Sequence, residues 1–145
     1  MEDDDISLFI NSAGGSERGA ISIYDIMKTT IADVITVVLG SSASLILAAG
    51  ATPKRKALPH ATVAIHHPRG RRVPIIAMKK LVKARKLQRV RKTIVELYEK
   101  NTNQPFQRIP EDRGRKLYMS ATETQAYGIV DYVVKSRKKK TLLEK

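Results

Sequence analysis

Apolar runs of strand length alternate along this chain with segments whose apolar positions recur at helical spacing. Three runs, at residues 6–10, 35–39 and 61–65, predict strands. The small-residue stretch 45–49 predicts a short helix directly after the second strand, and residues 75–101 predict a long helix. This alternation indicates a layered α/β fold with crossover connections.

Finer patterns define the remaining elements. A helical face between the first two strands is formed by Ile21, Tyr24, Ile26, Met27 and Ile31. The apolar side of the long helix holds Met78, Leu81, Val90, Ile94 and Leu97, with lysines mostly pointing away. Near the C-terminus, Ser120 and Glu123 have the spacing of a capping box and Gly128 is placed to end that helix. Residues 129–134 predict a last strand.

Length and composition indicate one domain without cross-links. The chain has 145 residues, 42% of them hydrophobic, and no cysteine, which excludes disulfides and thiolate metal sites. We assign residues 1–135 to the domain and 136–145 to a polar basic tail. The longest apolar stretch, 31–51, is interrupted by Asp33 and several serines and does not predict a membrane span. The acidic start, 1–5, is unlike a signal or transit peptide.

Residues with catalytic potential follow each of the three predicted strands. The second strand leads through Gly40 into a serine-rich turn ending at Ser44, the third ends at His66, and the first ends in the diglycine 14–15. A serine nucleophile needs an imidazole to take its proton, and the oxyanion it creates needs fixed N–H donors. The set therefore predicts acyl transfer. Taken alone, the serine turn is more typical of a helix N-cap. No group of His, Asp and Glu has the spacing of metal ligands.

Five segments carry a family resemblance: "LFINSAGG", "IYDIM", "LGSSASL", "ALPHATVAIHHP" and "YMSATETQAYGIVD". In this order they resemble the proteolytic subunit of the Clp protease (ClpP), and the last is most similar to the plastid-encoded form of plants. The resemblance implies a ClpP/crotonase-like layered α/β fold with a protruding handle helix. It implies a Ser-His-Asp endopeptidase site inside stacked heptameric rings in the plastid stroma. It also implies an AAA+ chaperone that uses ATP and Mg²⁺ to feed in unfolded protein, so that this chain itself binds no cofactor. From the residues we expect no membrane partner and no specific nucleic acid.

The resemblance assigns the site residues by position. Ser44 becomes the nucleophile and His66 the general base, while the N–H groups of Gly15 and Leu45 form the oxyanion hole. After the serine, the chain is shorter than the family pattern by nearly one helical turn. If that gap lies before the serine instead, Ser41 takes the nucleophile's place. Ser44 is favoured by the order of Thr36, Leu39, Gly40, Ala43 and Ser44.

The third position of the triad departs from the family. Counting back from Met119, the resemblance places Lys116 where the family has its aspartate. An ammonium beside His66 disfavours the protonated imidazole and works against base catalysis. In a serine protease with such a triad, loss of the aspartate's role costs about 10⁴ in turnover. Asp112 lies upstream and can substitute only in a rearranged loop. An active serine endopeptidase and a catalytically impaired structural ring subunit therefore both stay open.

Charge and length are further departures. The chain starts at what resembles the family's second or third strand, which indicates a fragment or a reduced gene. It carries 27 Lys and Arg against 14 Asp and Glu, a net charge of +13. Much of this charge lies on the long helix, which by resemblance interlocks two rings. Like charges repel there unless acidic partner subunits meet them, and we therefore hypothesise a mixed ring.

Two other classes of protein stay open. A basic helix and tail are compatible with nonspecific binding of nucleic acid, although aromatic residues make up only 5% of the chain and no stacking platform is visible. An acyl-CoA enzyme of the crotonase type shares the fold and the oxyanion hole and needs no Ser-His pair.

Overall fold

The computed structural model describes residues 4–65, 77–105 and 117–136, and this part of the chain forms alternating strands and helices. In chain order the elements are β1 (Ile6–Ile10), α1 (Glu17–Thr29), β2 (Val34–Val38), β3 (Ser41–Ala43), α2 (Ser44–Ala48), β4 (Arg55–Ala57), β5 (Thr62–Ile65), α3 (Ala77–Thr102), β6 (Leu117–Ser120), α4 (Ala121–Tyr127) and β7 (Tyr132–Val133). The α/β class predicted from the sequence is confirmed. The predicted tail lies, from residue 137 onward, outside the described residues, and the domain boundary stays a prediction.

The strands form two sheets rather than one. The first contains four parallel strands in the order β1-β2-β4-β7, and the second has the order β3-β5-β6 with β6 antiparallel. The chain passes from one sheet to the other at Leu39 and Gly40. The Leu39 N–H donates to the Ile10 carbonyl, and the Gly40 carbonyl accepts from Thr62 N–H. The sequence did not predict β3, β4 or β6. β3 and β4 are only three residues long, too short for an alternation pattern.

Within the described residues, one hydrophobic core is shared by both sheets and the four helices. Its fully buried apolar side chains include Val38, Leu47, Val63, Ile65 and Ile129. Burying a side chain of this kind stabilises the fold by about 1.5–3 kcal/mol before entropy is counted. Among the described helices, none is both long and apolar enough to span a bilayer.

The predicted apolar face of α1 is only partly correct. Tyr24 is buried and Ile21 and Met27 pack against the core, but Ile26 and Ile31 are 66% and 90% exposed. Ile26 lies two residues from Tyr24, about 200° around the helix axis, and therefore faces solvent. Thr30 donates its backbone N–H to the Ile26 carbonyl and caps the helix, so that Ile31 lies outside α1.

The long helix α3 confirms the predicted helix, whose first two positions lie outside the described residues. Its predicted apolar side holds for Ile94, which is buried, and for Val90 and Leu97, which are partly buried. Leu81 departs from the prediction because it is 56% exposed.

Helix α4 is bounded by its own sequence signals. Ser120 and Glu123 form the predicted capping box, in which each side chain accepts a hydrogen bond from the other residue's backbone N–H. Gly128 ends the helix with φ +92°, and a Cβ there would lie 2.7 Å from the Thr102 carbonyl at the end of α3. The strand predicted after it shortens to β7, because β7 pairs with the short β4 at only two positions.

Arg55 is a buried cation that connects β4 to three other segments. Its guanidinium binds both carboxylate oxygens of Asp131, at 2.8 and 3.0 Å, and donates to the carbonyls of Ala48 and Asn101. Burial raises the pKa of Asp131, but hydrogen bonds from Arg55 and its charge outweigh that effect, so the pKa lies below its ordinary value. Gly50 fits beside this pair because a Cβ there would clash with Thr36 Oγ1 and lie 2.9 Å from the Arg55 side chain.

Candidate functional site

Ser44 is the first residue of α2 and follows β3 without an intervening residue. Strand β3 pairs in parallel with β5, and the last pair of this ladder joins Ala43 to Ala64. Ser44 therefore comes just past the end of the ladder, and Ile65, the last residue of β5, does the same on the neighbouring strand. Ser41 pairs with Thr62 and lies three positions earlier, about 10 Å back along the strand. Of the two candidate serines, Ser44 is the nearer to the end of β5.

The Ser44 side chain lies inside the protein. Ser44 is 4% exposed, and its Oγ forms a hydrogen bond with the Tyr98 hydroxyl of α3. Tyr98 is 5% exposed. Its burial raises the pKa of the phenol well above the ordinary value, against the smaller lowering effect of the Ser44 hydrogen bond. The phenol therefore stays protonated near neutral pH and has no capacity to take the proton of Ser44.

Leu45 and Ser41, which lie after and before Ser44 in the sequence, have distinct environments. Leu45 is the second residue of α2 and is 5% exposed. Its backbone N–H lies in the first turn, where an α-helix offers no internal acceptor. Ser41 belongs to β3, and only its backbone is described.

The diglycine turn after β1 is open on its outer side. Gly14 has φ +120°, a conformation that favours glycine, and Ser12 Oγ hydrogen bonds to both its backbone groups. A Cβ built on Gly14 or Gly15 would meet no described atom within 4 Å. At Gly40 a Cβ would lie 2.9 Å from Asn11 Oδ1, so the end of β1 and the start of the serine turn are close neighbours. The turn that carries Gly15 therefore leaves β1 at the same sheet edge as the serine turn.

His66 and Lys116 lie outside the described residues, as does Asp112. The described ladder between β5 and β6 ends with Ile65 paired to Leu117. In the sequence, His66 follows the first of these residues and Lys116 precedes the second. The roles given to His66 and Lys116 stay predictions.

Sequence reasoning missed Tyr98 and Arg55. Tyr98 could have been found from its spacing, because it lies four residues after Ile94 and therefore on the same apolar face of the helix. Nothing in the local sequence marks Arg55 as buried, since its partner Asp131 lies 76 residues away.

Comparison with known proteins agrees with this arrangement. A family model described as Clp protease matches residues 1–137. The ATP-dependent Clp protease proteolytic subunit of Panax ginseng is 44% identical over 138 residues, which cover 92% of this chain and 70% of the relative. The subunits of Lactuca sativa and Phalaenopsis aphrodite subsp. formosana are 41% and 43% identical over the same share of this chain and 70% and 68% of their own lengths.

This chain belongs to the Clp protease family, a family of serine endopeptidases, and is of the proteolytic-subunit type. The prediction from the resemblance is confirmed at this level. The nucleic-acid-binding alternative is not favoured.

Proposed function

We propose that this chain is a subunit of the proteolytic core of an ATP-dependent Clp protease in the plastid stroma. It assembles with other Clp proteolytic subunits into stacked heptameric rings, and an AAA+ chaperone supplies unfolded protein at the expense of ATP. The plant origin of the relatives supports the plastid location. Within the chain, the observation that carries the proposal is Ser44, which begins α2 at the end of the β3–β5 ladder.

In the proposed reaction, Ser44 Oγ attacks the carbonyl carbon of a peptide bond while His66 takes the hydroxyl proton. The oxyanion of the tetrahedral intermediate accepts hydrogen bonds from the N–H groups of Gly15 and Leu45. Protonated His66 then donates its proton to the departing amine, which leaves an ester on Ser44. Water, deprotonated by His66, hydrolyses this ester and regenerates the serine.

We propose further that the serine is latent in the conformation described. Oγ is held by the Tyr98 hydroxyl inside the protein, whereas attack requires it to reach a peptide carbonyl. A rotation about the Cα–Cβ bond that breaks this hydrogen bond is therefore part of activation. Since the phenol of Tyr98 is protonated, its role is to hold the serine, and the base must be supplied by His66.

A structural ring subunit without hydrolytic activity is the second candidate. One observation favours it, the burial of Ser44. The resemblance adds to it by placing Lys116 at the position of the triad aspartate. A lysine at that position disfavours the imidazolium that forms during attack.

The first experiment is labelling of the purified, assembled protein with a fluorophosphonate probe. We expect slow labelling that is abolished by Ser44→Ala and retained in Ser41→Ala. Tyr98→Phe removes the hydroxyl that holds Ser44, and we expect it to raise the labelling rate several-fold. Loss of labelling in Ser41→Ala alone would move the nucleophile to Ser41.

The contribution of residue 116 is tested in the same assay. We expect Lys116→Asp to raise the rates of labelling and of cleavage of an unfolded protein substrate. Arg115→Asp makes the same change of charge one residue away and serves as the matched control. An intact ring that stays unlabelled in the wild type, in Tyr98→Phe and in Lys116→Asp would establish the structural subunit.

A further inference from the structure

The N-terminal half of α3 presents a surface that the described part of this chain does not cover. None of the described side chains from Lys80 to Arg89 is buried. Leu81 and Val82, two apolar residues in the middle of this half, are 56% and 55% exposed. Apolar side chains on an exposed helix face that also carries regularly spaced cations are typical of a protein interface.

On one side of α3, exposed side chains of this half and of the turn after it form a continuous strip. At about 100° per residue, Leu81, Arg85, Arg89 and Lys92 follow one another at intervals of three or four, with Val82 at the border. We call these five residues the basic face of α3. Ile94 and Tyr98 lie on the other side of the helix and pack into the core. The basic face is therefore separate from the side of α3 that contacts Ser44.

The charge of residues 79–92 is of one sign. Residues 79–92 contain eight lysines and arginines and no aspartate or glutamate, and the first acid is Glu96, paired to Lys92 at 3.9 Å. If the same helix of a second copy lay against it, the cations of both helices would face one another. Like charges brought together at an interface disfavour that pairing strongly.

Four of the fourteen acids of a second copy are already engaged in its own fold. Asp5 and Asp33 bind Lys54, Glu123 completes a helix cap, and Asp131 binds Arg55. Because self-pairing would also bring together the excess cations of both copies, an acidic surface of another protein complements the basic face better. Arginine binds carboxylates through two parallel hydrogen bonds, so Arg85 and Arg89, one turn apart, suit carboxylates spaced one turn apart on a helix.

We propose that the basic face of α3 binds an acidic amphipathic helix of a different protein chain, with Leu81 and Val82 as the apolar anchor and Arg85, Arg89 and Lys92 as carboxylate ligands. The inference rests on the proposed assembly with other Clp subunits, and it names the chemistry of the subunit surface that meets α3.

A charge-reversed copy of this chain supplies the probe. The variant Arg85→Glu/Arg89→Glu/Lys92→Glu presents three carboxylates on the same face of a helix of the same length, and all three substituted residues are exposed. The chain has no cysteine, so Ala84→Cys, at an exposed position on the same half of α3, gives one site for a donor or acceptor dye. Energy transfer between dyes then measures the proximity of the labelled α3 helices, and comparison with the control variant below separates α3 contact from other subunit contacts.

We expect transfer in a mixture of wild-type and charge-reversed chains, with an apparent affinity at least about tenfold tighter than that of wild type for itself. The transfer should weaken several-fold as salt rises from about 50 to about 500 mM. Arg18→Glu/Lys28→Glu/Lys135→Glu changes the net charge equally at exposed positions outside α3, and we expect it to give no transfer above the wild-type level.

Three results would overturn the proposal: equal or stronger transfer between wild-type copies, no transfer in any mixture, or equal transfer with the control variant. The proposal would also be overturned, in favour of a nucleic-acid surface, if a single-stranded RNA displaced the charge-reversed chain from the wild type at a concentration below the dissociation constant of that pair. Fluorophosphonate labelling reports on Ser44 and not on α3 contacts, so either proposal can fail while the other stands.

Discussion

The two halves of α3 share a helical backbone and differ in what they contact. In the C-terminal half, Ile94, Tyr98 and Thr102 are buried at intervals of four residues. Arg55 binds the Asn101 carbonyl there, and the Tyr24 hydroxyl accepts from the Asn101 side chain. In the N-terminal half, Leu81 and Val82 are exposed among cations. Apolar positions occur in both halves, so the presence of a packing surface, rather than the helix's own pattern, decides which of them are buried within the chain.

The strongest way to break the C-terminal half is to remove its buried cation. Arg55→Ala leaves the Asp131 carboxylate and two carbonyls without their donor, and we expect a loss of about 3–5 kcal/mol in the free energy of unfolding. Urea unfolding of the isolated chain measures it. Lys54→Ala removes the neighbouring cation, whose partners Asp5 and Asp33 are exposed, and we expect a much smaller effect. Equal losses in the two variants would contradict this account of Arg55.

The contrast between the halves is tested directly by one substitution in each. Ile94→Ala creates a cavity in the core and should cost about 2–5 kcal/mol. Leu81→Ala changes an exposed residue on the same helix and should alter the stability of the isolated chain by about 0.5 kcal/mol or less. A large effect at Leu81 in the isolated chain would show that the N-terminal half packs within its own subunit.

The hydrogen bond between the Tyr98 and Ser44 hydroxyls tests how closely the C-terminal half of α3 is coupled to α2. Tyr98→Phe leaves Ser44 Oγ buried without this hydrogen bond, and we expect a cost of about 1–3 kcal/mol. Tyr98→Phe/Ser44→Ala should lose less than the sum of the two single variants, because the second change removes the group that the first left unsatisfied. Strict additivity, measured by urea unfolding of all four proteins, would show that the two hydroxyls are energetically independent.

Acid should weaken the Arg55–Asp131 ion pair, and the loss in the free energy of unfolding should be smaller than that caused by Arg55→Ala. The pKa of Asp131 is lowered in the folded protein, so the unfolded chain binds more protons between the two pKa values. The stabilisation is complete above the ordinary aspartate pKa of about 4 and is lost as pH falls through the lower folded pKa. The stability difference between wild type and Asp131→Asn should therefore shrink below about pH 4. A difference that grows with acidification would contradict the sign.

The sequence predicted the elements that carry long patterns or complete local signals. Strand β1, helix α3 and the Ser120–Glu123 cap lie where periodicity and spacing placed them. Strands β3 and β4 were missed because three residues hold too little periodicity, and they exist through pairing with distant strands. The same limit applies to the candidate site. Sequence placed Ser44 at a strand-to-helix junction, whereas its contact with Tyr98 joins residues 54 positions apart.

The end of α3 fixes the position of the whole helix. Arg55 holds the Asn101 carbonyl, and Gly128 lies so close to Thr102 that it leaves no room for a side chain. The other half of the helix meets no such restriction from the described residues. If the basic face of α3 binds the partner proposed above, its charges can change without disturbing the core, and related subunits can acquire different neighbours while keeping the same fold. One half of the helix thus maintains the fold, while the other half is free to vary in the chain it binds.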